Sequence, residues 1–397
     1  MNSYIQALAE MAARPYRHII GLMSGTSLDG LDIAYCRVFG YGQHTKIELL
    51  KYATMPYSTA IKDKIKQVFA QDTVNLPYLA LLNEWIGCYH GQLVNAFIDQ
   101  NNIDKHKIDL IASHGQTVMH VPQHRHAYDD MGNATLQIGD GDHIAYQTGI
   151  ITISDFRQKH IAAGGEGAPL AVYGDYILFS KMGENRIMLN IGGIANFTYL
   201  PGDGDMSRVV VTDTGPGNTL MDTYMKEHFY DHFDRDGNAA ARGKVHSTLL
   251  KTMLGHPFFS QKLPKSTGPE LFNATFINHA LAACEGQQIS HDDVMATLNK
   301  LTAIAIAEAI KSTLPYHELQ IYVSGGGVHN ASLMNNLEAE LPQCKIHPFD
   351  ILGIDGDAKE AILFAILANE CIGDKPFRFG LGDNIPGVHL GKISFPK

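Results

Sequence analysis

The sequence predicts an α/β protein in which one supersecondary order occurs twice, giving two domains with a cleft between them. Three observations lead to this prediction. The chain has 397 residues, which is enough for two hydrophobic cores. Three strand patterns followed by helical patterns open each half, starting near residues 18 and 186. Each half also contains a turn rich in glycine, hydroxyl and acidic residues, at 21–30 and 211–218.

Apolar alternation and helical periodicity give the elements of the first half. In chain order they are a helical lead-in over 1–15, strands at about 18–24, 31–39 and 46–55, helices at 58–70 and 77–101, a strand at 109–113, a helix at 140–148 and a strand at 150–155. We assign residues 1–160 to an N-terminal domain.

The second half repeats this order after a helix that ends near residue 180. Its predicted elements are strands at about 186–192, 195–200 and 208–212, helices at 218–230, 246–254, 271–284 and 291–313, a strand at 320–324, a helix at 330–341, a strand at 345–348 and a helix at 358–373. We assign residues 161–373 to a C-terminal domain and expect the segment 374–397 to pack back on the first domain.

The first glycine turn, at 21–30, lies between two strand patterns and is predicted to be the turn of a β-hairpin. Such a turn directs several backbone N–H groups into one small volume. The hydroxyls of Ser24, Thr26 and Ser27 are predicted to join them. The turn is therefore a candidate phosphate-binding segment.

The second turn, at 211–218, repeats this arrangement after a strand. Asp213 is predicted to leave the strand end, and Gly215 and Gly217 would let the backbone approach a ligand closely. A helix is predicted to begin near Asn218, and its N-terminus would add further donors. Together the two turns predict contacts to both sides of a phosphate chain.

A third glycine cluster, Gly325, Gly326 and Gly327, follows a buried strand pattern and precedes a helix. It would form a flat backbone platform for an adenine or a ribose, although taken alone it is an ordinary strand-to-helix turn. The sequence contains neither a P-loop nor a Rossmann fingerprint. A nucleotide would therefore be bound by the three glycine turns.

Composition excludes several classes of partner. The net charge is −10 and no run of Lys or Arg occurs, which argues against nucleic acid or an anionic membrane as the main partner. No apolar run approaches the roughly 20 residues of a membrane span. The five cysteines are odd in number and lack C-x-x-C spacing, so we expect reduced thiols in a cytoplasmic protein.

Eight segments in this order resemble those of the anhydro-N-acetylmuramic acid kinase family, which belongs to the sugar-kinase, Hsp70 and actin superfamily. The segments are 21–30, 112–117, 155–157, 163–169, 189–193, 213–218, 264–268 and 324–327. The resemblance covers nearly the whole chain and implies a duplicated RNase H-like, actin-like ATPase fold. The extension before Arg17 has no counterpart in the family pattern.

The resemblance also implies a reaction. Members of this family open the 1,6-anhydro bridge of anhydro-N-acetylmuramic acid with water and transfer the γ-phosphate of ATP to O6. The products are N-acetylmuramic acid 6-phosphate and ADP, in peptidoglycan recycling. The implied cofactors are ATP and Mg²⁺, the implied partner is a small-molecule sugar, and the implied assembly is a homodimer.

Other functions remain open from the residues. One is another sugar or acid kinase of the same superfamily, and another is an Hsp70-like or actin-like ATPase acting on a protein partner. A metal-dependent binding protein is disfavoured, because Pro122 breaks the helical spacing of His120 and His124. ATPase activity measured with and without sugars would separate these functions.

The resemblance assigns the cofactor-binding residues to the three glycine turns, the two residues after the first turn, and the 189–193 segment. They are Gly25, Thr26, Ser27, Leu28, Asp29, Gly30, Leu31, Asp32, Gly192, Gly193, Gly215, Gly217, Asn218, Gly325, Gly326 and Gly327. Asp29 is the candidate metal residue, through water, because Mg²⁺ keeps several waters and few protein ligands. Asp32 is the alternative carboxylate and could instead cap the turn.

The candidate catalytic residues are Asp213 and Glu360. Asp213 fits the base that activates water at C1, although an Asp before Thr-Gly-Pro-Gly is also a common turn former. Glu360 opens the last long helix and could hold the sugar or assist the attacking water. Alternatively it is a first-turn acid that the helix dipole favours.

The candidate sugar residues follow the strands of the first half. They are Ser113, His114, Gln116, Thr117, Arg157 and Gly167. His114 and Gln116 can hydrogen-bond hydroxyl and acetamido groups. Arg157 is the predicted partner of the lactyl carboxylate, because a guanidinium meets a carboxylate through two parallel hydrogen bonds.

Overall fold

A computed structural model describes residues 2–25, 27–168, 170–313, 318–354, 356–376 and 386–397. Thr26, a predicted cofactor residue, lies outside these ranges. The chain divides into two compact units. The first consists of Met1–Leu178 and Asp357–Lys397, and the second of Phe179–Gly356.

Most of the first unit is built from the N-terminal part of the chain. In chain order its elements are α1 (Ser3–Ala13), β1 (Tyr16–Ser24), β2 (Gly30–Phe39), β3 (Lys46–Pro56), α2 (Thr59–Lys66), α3 (Leu76–Gln100), β4 (Leu110–Val121), β5 (Ala134–Ile138), α4 (Gly141–Thr148), β6 (Thr152–Ser154), α5 (Phe156–Ala162) and α6 (Ala171–Phe179).

The second unit follows, and the chain then returns to the first. The elements of the second unit are β7 (Arg186–Ile191), β8 (Ile194–Leu200), β9 (Val210–Pro216), α7 (Thr219–His228), α8 (Asn238–Arg242), α9 (Ser247–Leu254), α10 (Ala274–Ala282), α11 (His291–Thr313), β10 (Gln320–Ser324), α12 (Ala331–Glu340) and β11 (Lys345–Pro348). The returning elements are α13 (Lys359–Cys371) and β12 (Lys392–Ser394).

The two sheets share the order and direction of five strands. In the first, β1, β2 and β3 are antiparallel neighbours, and β4 and β6 continue on the other side of β1 as parallel strands. In the second, β7, β8 and β9 are antiparallel neighbours, and β10 and β11 continue as parallel strands. The shared strand order confirms the predicted duplicated α/β fold.

Each unit has its own buried apolar core. The first sheet has two strands that the sequence analysis did not predict. β5 pairs with the long C-terminal part of β4, and β12 pairs with β6. The C-terminal strand thus lies in the first sheet.

The unit boundaries differ from the predicted domain limits near residues 160 and 373. Helix α13 was assigned to the second domain, but it packs on β1, β2 and β4 of the first sheet. The close approach is possible because Gly21 of β1 has no side chain under Ala361. Apolar periodicity alone does not identify which sheet such a helix covers.

Two polar groups at the end of α13 fix it to the first sheet. Asn369 accepts hydrogen bonds from Nε and Nη2 of the fully buried Arg17, at 2.8 and 2.6 Å. The neighbouring Glu370 accepts from the Gly42 N–H and the Thr45 hydroxyl, each at 2.8 Å. Buried polar groups that are fully bonded hold an element in one position. These contacts therefore set the position of Glu360, which lies at the other end of α13.

Candidate active site

The first glycine turn connects β1 to β2 and places fewer hydroxyls outward than the sequence predicted. The Ser24 side chain is buried and bonded within the first unit. The Ser27 hydroxyl donates to Asp29 Oδ1 at 2.7 Å, and both residues are exposed. Leu28 has a φ of +57° and its side chain is buried in the core. The exposed side chains of the described turn are thus Ser27 and Asp29.

The predicted cofactor residues that open β2 serve mainly to pack the sheet. A Cβ on Gly30 would lie 2.6 Å from the Met55 carbonyl oxygen, so this position needs glycine for the β2–β3 contact. Leu31 is buried in the core, and only its backbone could reach a ligand. Asp32 Oδ1 accepts hydrogen bonds from Thr54 Oγ1 at 2.5 Å and from Tyr52 OH at 3.0 Å. Burial raises the pKa of Asp32.

The structure brings three of the predicted sugar residues together. Arg157 Nε donates to His114 Nε2 at 3.0 Å, and Arg157 Nη1 donates to the Gly167 carbonyl at 2.7 Å. Burial, and then the positive charge of Arg157, hold the pKa of His114 well below its usual range. His114 is therefore a neutral imidazole that accepts at Nε2. The Nη1–Nη2 end of the guanidinium is the part that could still form a bidentate pair with a carboxylate.

Ser113 and His114 also line a cavity of about 590 Å³ in the first unit. The cavity lies where β4, β5 and β6 meet the start of α4, and Asn83, Ser154 and Lys392 contribute polar groups to it. Ser113 itself is fully buried, and its hydroxyl has no hydrogen-bond partner among the described residues. The Thr117 hydroxyl accepts from Gln137 Nε2 at 3.2 Å.

Gln116, the remaining predicted sugar residue, has no exposed surface. Its amide bonds to Ser24, to the Gly25 carbonyl and to the Thr117 carbonyl. The structure therefore separates Gln116 from the solvent-accessible polar groups of β4. Sequence reasoning placed it with His114 because both follow the same strand pattern.

Glu360 lies in the first turn of α13 and is accessible to solvent. The atoms crowded around its carboxyl nevertheless raise its pKa, while the charges of Lys359 and Arg157 act in the opposite direction. Lys359 is itself fixed by an ion pair with the buried Asp175, at 2.5 Å. An accessible carboxylate with a raised pKa is a suitable group for hydrogen bonding a sugar or moving a proton.

Asp213 lies within β9 in the second unit, and the 264–268 segment holds its carboxylate. Oδ2 accepts from the Thr267 N–H at 2.8 Å and from the Ser266 hydroxyl at 3.2 Å. The Asp213 N–H donates to the Lys265 carbonyl at 3.0 Å. Burial raises the pKa of Asp213, the two hydrogen bonds to Oδ2 oppose this rise, and the charge of Glu270 adds to it. The carboxylate is held rigidly, and its basicity is higher than that of an exposed Asp.

The second glycine turn is bonded to the hairpin turn between β7 and β8. The N–H groups of Gly217 and Asn218 donate to the carbonyls of Gly193 and Gly192, each at 2.8 Å. A Cβ on Gly217 would lie 2.3 Å from the Gly192 oxygen. Gly215 has a φ of +142° and lies against Phe259. The first donors predicted at the α7 N-terminus are therefore used within the second unit.

The third glycine cluster lies beside the β7–β8 turn. A Cβ on Gly325 would lie 2.7 Å from the Ile191 carbonyl, and one on Gly327 would lie 2.3 Å from the Ile191 side chain. These two glycines therefore permit close packing. Gly326 is exposed, and a Cβ there would have only Asn218 Nδ2 nearby, at 3.6 Å. Gly325 is exposed too, so Gly325 and Gly326 are the parts of the platform that a ligand could reach.

Gly326 also lines a cavity of about 500 Å³ in the second unit. Asn218 and Asp222 of the α7 region line the same cavity, together with Phe233 and Arg235. The Phe233 ring is about half exposed, and the Arg235 guanidinium lies 5.4 Å from its centre. Sequence reasoning missed this segment because Asp234–Asn238 reads as an ordinary surface turn. The exposed aromatic ring was the available signal.

The donor set for a metal is small. Among the described residues, no three His, Cys, Asp or Glu side chains lie close enough together to hold a metal ion by themselves. Asp29 offers an exposed carboxylate with one oxygen bonded to Ser27. This set fits Mg²⁺ that is held mainly by phosphates and water, with few protein ligands.

No described helix has the length and apolar character to cross a membrane.

The sequence profile of the anhydro-N-acetylmuramic acid kinase family matches residues 17–383. A relative with this name from Pseudoalteromonas atlantica is 53% identical over 401 residues, covering 100% of both chains. A relative with the same name from Caldanaerobacter subterraneus is 38% identical and covers 95% of this chain and 97% of its own. A solved ROK family glucokinase from Streptomyces griseus, in complex with glucose and AMPPNP, is 11% identical, with a TM-score of 0.34 over 88% of this chain and 98% of its own.

The duplicated fold and the family profile define the chain as a kinase of the sugar-kinase class. The match covers far more than half of the sequence and includes both units. The chain belongs to the anhydro-N-acetylmuramic acid kinase family. The profile begins at Arg17, so helix α1 lies outside it.

Proposed function

We propose that this enzyme opens the 1,6-anhydro ring of anhydro-N-acetylmuramic acid with water and phosphorylates O6 with ATP, in peptidoglycan recycling. The products are N-acetylmuramic acid 6-phosphate and ADP. The match of the family profile to residues 17–383 carries this proposal. The rigid, basic carboxylate of Asp213 supports it, because the reaction needs a group that activates water.

In the proposed reaction Asp213 takes a proton from water, and the water oxygen forms a bond to C1. The C1–O6 bond breaks, and O6 attacks the γ-phosphorus of ATP while ADP leaves. The hydrogen bonds from Thr267 and Ser266 to Oδ2 hold the carboxylate in one orientation. Restricting a base to one orientation lowers the entropic part of the barrier.

The sugar is proposed to bind at residues of the first unit. Arg157 would bind the lactyl carboxylate through its Nη1–Nη2 end, because its Nε is already bonded to His114. Ser113, His114, Thr117 and Gly167 would contact the ring substituents. Glu360 would hydrogen-bond the sugar or the attacking water, using a carboxyl that is accessible to solvent.

The nucleotide is proposed to bind through the glycine turns and the cavity beside Gly326. An adenine would occupy the cavity that Gly326 and Phe233 line, and Asp222 would bond the ribose. The first turn, with Ser27 and Asp29, would face the phosphates. Mg²⁺ would neutralise developing charge on the phosphoryl group, and Asp29 is the residue proposed to hold it through water.

The proposed reaction is tested by product analysis with ATP, Mg²⁺ and 1,6-anhydro-N-acetylmuramic acid in ¹⁸O-labelled water. We expect ADP and a 6-phosphorylated sugar with one labelled oxygen at C1, measured by mass spectrometry. Label in the phosphate would contradict water attack at C1. ATP turnover in the absence of any sugar would instead support an ATPase that acts on a protein partner.

Arg157→Ala is expected to weaken the lactyl-bearing sugar by about 10- to 100-fold in KM, since one or two charge-assisted hydrogen bonds are lost. An analogue without the lactyl group, 1,6-anhydro-N-acetylglucosamine, should be affected much less. Arg157→Lys is the matched variant that keeps the charge but loses the fork. Equal weakening of both sugars would mean that Arg157 serves only to hold His114 and Gly167 in place.

We also propose a cytoplasmic location and a homodimer for the chain, as the family resemblance implies. Analytical ultracentrifugation at micromolar concentration tests the homodimer, and a monomeric mass would exclude it.

A further inference from the structure

A chain of buried hydrogen bonds runs behind the first glycine turn and has no role in the proposed chemistry so far. It joins side chains from four separate segments of the first unit. Ser24 Oγ lies 2.5 Å from Gln116 Oε1 and 2.9 Å from Tyr57 OH, and Tyr57 OH lies 2.7 Å from His90 Nε2. All four residues are buried.

The direction of every hydrogen bond in this chain can be assigned. Gln116 Nε2 donates to two carbonyls, those of Gly25 and Thr117, each at 3.1 Å, so the orientation of the amide is fixed. Oε1 can only accept, and therefore the Ser24 hydroxyl donates to it. Ser24 must then accept from Tyr57, and Tyr57 must accept from the Nε2–H of His90.

His90 is the last side chain in this set of hydrogen bonds, and its imidazole is neutral. Its Nδ1 is buried and has no hydrogen-bond partner among the described residues, so a second proton there would be unsatisfied. Burial lowers the pKa of His90 to about 4, which agrees with this protonation state. The four side chains therefore form one fully directed set of hydrogen bonds that leads from α3 to the glycine turn.

The chain of hydrogen bonds ends on the backbone of the first glycine turn. The Gly25 carbonyl accepts from Gln116 Nε2 at 3.1 Å, and its other bond, from Leu28 N–H, is longer, at 3.4 Å. Gly25 is otherwise loosely packed, since the nearest atom to a Cβ there would be 3.6 Å away. Among the described residues, the hydrogen bond from Gln116 is thus the shorter of the two that hold the Gly25 carbonyl.

We infer that Gln116 is a positioning residue for the terminal phosphates of the nucleotide, acting through Gly25, with Ser24, Tyr57 and His90 behind it. This inference rests on the proposed function, because the glycine turn is the proposed phosphate-binding segment. It replaces a direct contact between Gln116 and the sugar. The buried side chain fixes the turn, and the exposed part of the turn then meets the phosphates.

Direct binding tests this role without turnover. We expect Gln116→Leu to weaken ATP binding about 10-fold in calorimetry, and Tyr57→Phe to weaken it about 3-fold, since each variant removes hydrogen bonds from this chain of side chains. AMP, which lacks the β- and γ-phosphates, should bind all variants equally. Tyr78→Phe is the matched control, because the one hydrogen bond of the Tyr78 hydroxyl among the described residues goes to the Lys64 carbonyl.

Steady-state kinetics distinguishes a role of Gln116 in positioning the glycine turn from a role in binding the sugar directly. KM for the sugar should stay within about twofold in Gln116→Leu, and melting curves should show that both variants are folded. Unchanged ATP binding, or equal weakening of ATP and AMP, would overturn the positioning role. A raised sugar KM with normal ATP binding would make Gln116 a sugar ligand. A wild-type enzyme that binds ATP but forms no phosphorylated sugar would refute the proposed function and leave this binding test intact.

Discussion

Replacement of Asp213 by asparagine is expected to lower kcat by about 10²- to 10⁴-fold, the usual contribution of a general base. Asparagine has almost the same shape and its oxygen can still accept from the Thr267 N–H. It cannot take a proton from water. The ATP affinity should therefore change little, which calorimetry would show, while kcat with ATP and the anhydro sugar should fall. A near-normal kcat would remove Asp213 from the base role.

The pH dependence gives a second test of Asp213. The base must be ionised, and burial raises its pKa, so kcat should fall with decreasing pH at a higher pH than for an exposed Asp. Ser266→Ala removes a hydrogen bond that stabilises the ionised form. We expect this variant to shift the acidic limb of the kcat profile further upward, with little change at alkaline pH. An unshifted limb would mean that another group controls it.

The duplicated fold was predictable because its signals are local. Strand alternation and helical periodicity located β1 to β3 and β7 to β9, and the repeated order followed from them. β5 and β12 were not predicted, because short strands depend on a neighbour that the local sequence does not identify. The attachment of α13 to the first sheet depends on Gly21, a contact between residues far apart in the chain.

The site was predictable only in part, for a similar reason. Motif spacing correctly located Glu360 in the first turn of a helix. It placed Asp213 just beyond a strand end, whereas Asp213 lies within β9. It could not show that the N–H groups of Gly217 and Asn218 are bonded to the β7–β8 turn. Those bonds form between segments that are distant in sequence, so a glycine-rich stretch looks the same whether its donors are free or used.

Gly21 is another glycine whose role the sequence motif does not reveal. It was predicted as part of the first glycine turn, but in the structure it lies in β1 and contacts helix α13. Its strand neighbours are Ala34 and Ala112, so a row of small residues crosses the sheet at this level. Helix α13 lies on this row through Ala361 and Ala365. A helix can approach a sheet this closely only where side chains are small.

Gly21→Ala is therefore expected to destabilise the first unit strongly. The added Cβ would lie 1.9 Å from the Ala361 oxygen and 2.9 Å from the Ala365 nitrogen, and backbone atoms cannot rotate away. Overpacking of this kind costs about 1–3 kcal/mol or more, which corresponds to a decrease in Tm of about 2–12 °C for a unit of this size. Gly132→Ala is the control, because a Cβ there meets no atom within 4 Å. Because the displaced helix carries Glu360, kcat should fall together with Tm. An unchanged Tm would mean that α13 can move off β1 at little cost.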